Sequence, residues 1–340
     1  DEEAGNVLVQ NSGSSHGIST EKPAEIPKSS PQTELLITPA KIHTLDEVLS
    51  TLKDVRITFD NIITAGGNVT YKREHFDIKH QVMLEDENEP VSQLLDSNTD
   101  LQKNVYEGGF KNWECSYDAV DDLFQKRPKY ISGNILELGC GTALPSCQIL
   151  IQRLQAVGSQ EVPTKGLKLY LSDFNYDVLR LVTVPNLIIH WASTIEPSQL
   201  QQLTYHEEGP QLANDELVFT SRLIDAFKLS LDKANVQIVL ISGSWGLQFV
   251  LLLQEPLDFI ISSETIYSLD TLPLVAEMIQ TFIKTGNSDC HALVAAKDIY
   301  FGVGGSVVEF VKHINAMGLR VDVEHMNAQL KRSLIRISAK

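Results

Sequence analysis

From residue 133 to the C-terminus, short apolar runs alternate with helical patterns, and that alternation limits the folds open to the chain. The runs are "NILELG", "GLKLYLSD", "NVQIVLISGSW", "EPLDFIISSETIY" and "CHALVAAKDIY". Between them lie segments of helical period such as "ALPSCQILIQRLQ", "NYDVLRLV" and "SVVEFVKHINAMG". A nearly continuous apolar strand must be covered on both faces, which calls for a mostly parallel sheet with helices on each side. "LRVDVEH" and "SLIRISAK" end the chain close enough together to pair as an antiparallel hairpin. The seven runs predict a doubly wound, Rossmann-like α/β fold with a seven-stranded sheet and that hairpin at its edge. "LIIHW", Leu187 to Trp191, fits another short strand or part of an insertion. "NWECSYDAVDDLFQK" predicts a helix with Trp113, Tyr117, Val120, Leu123 and Phe124 on one face.

Residues 1–40 are rich in Ser, Gly, Pro and Thr, too polar to offset the entropy of ordering, and predict a flexible tail. Residues 41–100 read as a helical or irregular extension. Thr44 stands three residues before Glu47 as a helix cap, and Leu45, Val48, Leu49 and Leu52 recur at helical spacing. Residues 85–100 hold six acids and no base and predict an exposed loop. The catalytic-type body is expected over 101–340.

Charge narrows the partners. Lys and Arg total 28 against 44 Asp and Glu, a net charge of -16, which disfavours direct nucleic-acid binding. The first 100 residues hold 18 acids and 8 bases, so a basic partner would suit them, as would plain solvation. The four cysteines, Cys115, Cys140, Cys147 and Cys290, form no C-x-x-C pair, and no metal site is expected. No apolar run reaches the ~20 residues of a membrane span, and no signal peptide is visible at "DEEAGNVLVQ". A monomer in the cytoplasm, and also in the nucleus, is the expectation.

"ILELGCGTALPS" carries the chemistry. Gly141 is followed by Thr142, Ala143 and Leu144, not by the Lys and Ser/Thr of a P-loop, and Leu144 stands where a dinucleotide site wants a third glycine. Glu137, two residues before Gly139, fits a ligand with an ammonium group. S-adenosylmethionine has one and has no phosphate. Asp173, closing the second strand, stands where such folds bind the ribose hydroxyls of an adenosine.

The segments "VYEGGFKNWECSYD", "ELGCGTALPS", "LSDFNYDVLRLVTVPN", "LISGSWG", "SSETIY" and "AAKDIYFGVGGSVVEF" resemble the seven-β-strand protein-histidine methyltransferases, the histidine protein methyltransferase 1 group that includes methyltransferase-like 18, in its fungal form. The resemblance spans residues 45 to 340. It implies S-adenosylmethionine-dependent methyl transfer to an imidazole nitrogen of a histidine in a basic substrate, ribosomal large-subunit protein 3. It places the cofactor against Asn112, Trp113, Glu114, Cys115 and Ser116; Gly139; Asp173, Phe174 and Asn175; Gly243, Ser244 and Trp245; and Ser263. A carboxylate beside the ring would favour the imidazolium that forms. Glu264 is the candidate, with Tyr267 as wall or hydrogen-bonding partner, and Asp298 and Tyr300 in reserve. Ahead of a helix, "FGVGGS" would suit an anion at the helix N-terminus, but with the cofactor placed elsewhere a flexible rim over the substrate entrance is the expectation. Two other readings stay open: a protein-lysine methyltransferase of the same fold, and a non-catalytic ribosome-assembly adaptor.

Overall fold

Strand order is what positions everything else. The computed structural model describes residues 38–85, 108–111, 113–126, 130–159, 163–205, 207, 209, 211–327 and 329–340. The expected tail through residue 37, the acidic loop from residue 86 onward and Asn112 lie outside them. Eleven strands are present among the described residues: β1 (Lys41–His43), β2 (Arg56–Ile63), β3 (Val69–Arg73), β4 (Gly133–Leu138), β5 (Leu167–Asp173), β6 (Glu216–Val218), β7 (Val236–Ser242), β8 (Phe259–Ser263), β9 (His291–Lys297), β10 (Arg320–His325) and β11 (Arg332–Ser338). Eight form one sheet in the order β1-β7-β5-β4-β8-β9-β11-β10. β7, β5, β4, β8 and β9 run parallel, and β11 and β10 close one edge as the antiparallel hairpin. All seven predicted strands are there.

The eighth strand is a finding. β1 pairs antiparallel with β7, Ile42 opposite Ile241, and His43 Nε2 lies 2.7 Å from Ser242 Oγ. Three residues of a polar segment give no alternation by which to recognise a strand. β2 pairs with β3 and with β6 in a second, three-stranded sheet. The segment expected to be helical or irregular thus carries three strands and the helix His75–Leu84 beside its predicted helix. That helix, Leu45–Leu52, is capped as expected: Thr44 Oγ1 accepts from the Glu47 N–H at 3.1 Å, and Val48, Leu49 and Leu52 are buried. Those side chains join Leu169, Leu171 and Leu240 in one core cluster.

Apolar layers cover both faces of the main sheet. In β4, Ile135 enters one cluster while Leu136 and Leu138 enter the other, with Ile260, Ile241 and Val294. Both faces of the strand are therefore dry, which is why the run is continuous rather than alternating.

Two helices depart from expectation. Leu187–Trp191 lies in the helix Val184–Ala192, every residue of which is buried, so its apolar run reflects complete burial rather than a strand. A π-helical turn, Leu179–Thr183, precedes it. Pro185 has no N–H to offer the Leu181 carbonyl, and Arg73 Nη1 donates to that carbonyl instead at 3.1 Å. In the helix Glu114–Gln125 the inward face bears Cys115, Asp118, Ala119, Asp122 and Leu123, while Trp113 is the N-cap and Tyr117 and Phe124 are only partly buried. The acids face inward because β11 supplies partners: Arg332 Nε donates to Asp118 Oδ2 at 2.6 Å, and Arg336 binds Asp122.

His190 joins the small sheet to this body. Its Nδ1–H donates to the Asn186 carbonyl at 2.6 Å, and its Nε2 accepts the Tyr71 N–H at 3.1 Å, which fixes the neutral tautomer. Burial pushes the imidazole down from 6.5 to about 4. The unfolded chain then binds more protons than the folded one between those values, so stability should fall as pH drops from 6.5 toward 4, by about 3 kcal/mol from this group. Urea denaturation at a series of pH values should give that slope in the wild type and a shallower one in His190→Gln; equal slopes contradict the assignment.

Candidate active site

β5 and β8 leave β4 on opposite sides, and where their connections part a crevice opens at the carboxyl ends of the parallel strands. A cavity of about 180 Å³ lies there. Glu137, Gly139 and Gly141 line it from β4, Asp173 and Phe174 from β5, and Gly243, Ser244 and Trp245 from β7. Ser263, Glu264 and Tyr267 follow from β8, and Trp113 and Ser116 from the start of the helix Glu114–Gln125.

Asp173 governs the turn. Its Oδ2 accepts the Gly141 N–H at 3.0 Å and its Oδ1 accepts the Asn175 N–H at 3.2 Å. Thr183 Oγ1 donates to the Gly141 carbonyl at 2.6 Å, and the Cys140 N–H to the Ser172 carbonyl at 2.8 Å. Gly139 is left-handed, with φ of 62°, and a Cβ there would stand 2.7 Å from Thr265 Cγ2. The residue is glycine because both backbone and walls demand it. Glu137 is 1 % exposed; Ser146 donates to its Oε2 from N–H, at 3.1 Å, and from Oγ. Burial pushes this carboxyl up to about 7 against the pull of the Ser146 bonds. An ammonium group entering the cavity would restore its charge.

The Trp245 indole N–H donates to Ser172 Oγ at 3.0 Å. Gly243, with φ of 101°, is glycine for another reason: the Pro39 carbonyl occupies the place of a Cβ, and the Ser244 N–H donates to the Thr38 carbonyl at 2.9 Å. Ser263 Oγ is buried and has no partner among the described residues, which suits a wall awaiting a polar ligand.

Glu264 adopts φ of 58°, rare for a residue with a Cβ and typical of strain stored at a site. Its Oε1 accepts the Cys115 N–H at 3.2 Å and its Oε2 accepts the Tyr300 hydroxyl at 2.7 Å. An ionised carboxylate has about four acceptor positions, so two remain. The Cys115 side chain is fully buried and does not reach the cavity; only its N–H contributes, through Glu264. Glu114 is exposed, its Oε2 3.1 Å from Lys297 Nζ, and that ammonium also stands 5.4 Å from the Trp113 ring centroid. Neither Glu114 nor Asn175 lines the cavity. Asp298 is drawn away by Ser333 and His325, whereas Tyr300 acts through Glu264.

Gly108, Gly109, Lys111, Cys140, Thr142, Pro145, Thr265, Thr271 and Leu274, to none of which the sequence assigned a cofactor or catalytic role, also line the cavity. The adjacent Gly108 and Gly109 were the available signal, a dipeptide that marks a sharp turn.

A doubly wound sheet with this strand order, a glycine turn after β4 and an acid closing β5 defines the nucleoside-cofactor-binding α/β class. No family model matches the chain. It is 42 % identical over 320 residues to histidine protein methyltransferase 1 of Saccharomyces cerevisiae, covering 87 % of this chain and 84 % of that one. It is 34 % identical over 255 residues to the Schizosaccharomyces pombe protein of the same name, covering 72 % and 68 %. The chain belongs to the histidine protein methyltransferase 1 family. Among solved structures, magnesium protoporphyrin IX methyltransferase from Synechocystis PCC 6803 aligns with 77 % of this chain and 97 % of its own at 10 % identity and a TM-score of 0.38, too distant to bear on function.

Losing the Tyr300 hydroxyl would leave Glu264 Oε2 without its buried donor. Tyr300→Phe should lower stability by about 1–3 kcal/mol in chemical denaturation; an unchanged midpoint contradicts the clamp.

Proposed function

We propose that the protein is an S-adenosylmethionine-dependent histidine N-methyltransferase acting on a basic protein of the large ribosomal subunit, ribosomal large-subunit protein 3. The observation that carries the reading is the 42 % identity to a relative named for this transfer, over 87 % of the chain. The cavity residues fit the cofactor. Glu137 would hold its amino group, Asp173 its ribose hydroxyls, the Trp245 ring its adenine, and Ser263 Oγ a further polar atom, with Trp113 covering the opening. When bound, S-adenosylmethionine supplies a methyl group on a sulfonium.

The chain's own task is to place and desolvate the acceptor. A neutral imidazole is nucleophilic near pH 7, so most of the rate comes from orientation and from excluding water. Tyr267, which lines the cavity, would wall the acceptor ring. Glu264, fixed by Cys115 N–H and Tyr300, presents its remaining lone pairs to the imidazole N–H that faces away from the transfer. That contact would fix the tautomer and stabilise the positive charge the ring acquires. The excess of acid over base on this chain would draw a basic substrate at physiological salt. We place the activity in the cytoplasm and nucleus, where ribosomal proteins are made and assembled; among the described residues no helix is long and apolar enough to cross a membrane.

Incubation with isotopically labelled S-adenosylmethionine and purified large-subunit proteins should yield methylhistidine, mapped by mass spectrometry. Label on lysine, or none, contradicts the proposal. Glu264→Gln should lower kcat about 10²-fold at unchanged cofactor affinity; undiminished kcat removes Glu264 from the chemistry.

A further inference from the structure

Two loops beside the cavity expose large apolar side chains together. Phe301 is 86 % exposed, Leu269 64 %, Ile299 56 % and Val303 41 %. Single exposed apolar residues are ordinary, but a cluster on paired loops marks a surface that meets something. The pairing is built in. Ser268 bridges to Gly304 and Ile299 to Ser306, the Gly305 N–H donates to the Tyr267 carbonyl at 3.0 Å, and Leu269 packs beside Gly304. The Tyr300 N–H and the Gly304 N–H add bonds to the Gly305 and Tyr300 carbonyls at 2.9 and 3.1 Å. These loops are therefore a held surface rather than loose chain.

The same segment forms the wall of the site. Tyr267 and Thr271 line the cavity, and Leu269 lies between them in sequence. Charge distinguishes this rim from its surroundings: neither 265–269 nor 299–306 holds a charged residue, in a chain of net charge -16, and Asp270 and Asp298 flank the two stretches. An uncharged apolar rim continuous with the cavity complements a segment that is apolar close to its acceptor.

We propose that the rim formed by Leu269, Ile299, Phe301 and Val303 receives the residues flanking the acceptor histidine, so that the enzyme selects a histidine set among large apolar side chains. This rests on the histidine transfer proposed above and adds the sequence context of the acceptor. Phe301 and Leu269 supply most of the contact, because they have the most surface to lose on docking. Since these side chains are exposed, replacing them leaves the core and the cofactor wall intact.

The test uses the full chain with a synthetic peptide library carrying one histidine and every residue type at the two positions on either side. The wild type should give methylhistidine enriched for Phe, Trp, Leu, Ile or Met beside the histidine. Phe301→Asp should lower kcat/KM for those peptides roughly tenfold or more, with S-adenosylmethionine affinity and the thermal midpoint unchanged. Product indifferent to the flanks, or undiminished in Phe301→Asp, overturns the assignment. So does a wild-type dimer that Phe301→Asp makes monomeric while peptide selection stays the same, since the rim would then belong to a second copy. Failure to form methylhistidine on whole large-subunit proteins as well sinks the transfer reading itself; methylation of the proteins but of no peptide overturns only the flank recognition.

Discussion

One carboxylate sets the geometry of the site. Asp173 takes the Gly141 N–H from the turn after β4 and the Asn175 N–H from the helix after β5, so two parallel strands are fastened where the crevice opens. Buried N–H groups must be partnered, and a charged acceptor is among the stronger partners. With the turn held, Gly139 packs against Thr265 and Trp245, Ser146 in the first turn of its helix donates to Glu137, and Ala143 is left-handed with φ of 53°. A second acid, Glu264, does the same on the other side of β4, tying the strand end to Cys115 N–H and Tyr300.

The N-terminal segment is part of this construction. Asn186 accepts the Arg73 N–H at 2.8 Å and donates to the Thr142 carbonyl at 3.0 Å, so β3 is linked through one side chain to the glycine turn. Arg73 answers the carbonyl left by Pro185, His190 answers Tyr71, and Thr38 and Pro39 run along Gly243 and Ser244. Buried polar groups satisfied in this way rigidify a fold. The cavity wall on the β7 side therefore depends on residues far upstream in sequence.

Much of this was legible in the sequence. The parallel strands announce themselves as unbroken apolar runs, the Thr44 cap by its spacing to Glu47, and the cavity-lining turn by Glu137, Gly139, Gly141 and Asp173 in order. What was hidden is long-range. β1 becomes a strand only because the edge of β7 is there to pair with it, and Leu187–Trp191 becomes a helix because it is buried all round. Asp118 and Asp122 turn inward because Arg332 and Arg336 come from the end of the chain. Gly243 lines the cavity, and what no local pattern reports is that the Pro39 carbonyl stands where a Cβ would, beside a φ of 101° that already calls for glycine. Cys115 enters through its backbone, and no side-chain pattern reports a backbone donor.

The Asp173-fastened turn is proposed as the S-adenosylmethionine cradle. Calorimetric titration of S-adenosylmethionine into the wild type and into Asp173→Asn tests it most directly. One site per chain is expected, weakened at least about tenfold in the variant through loss of a charge-assisted hydrogen bond and of the held turn. Equal affinity in the two proteins would contradict it.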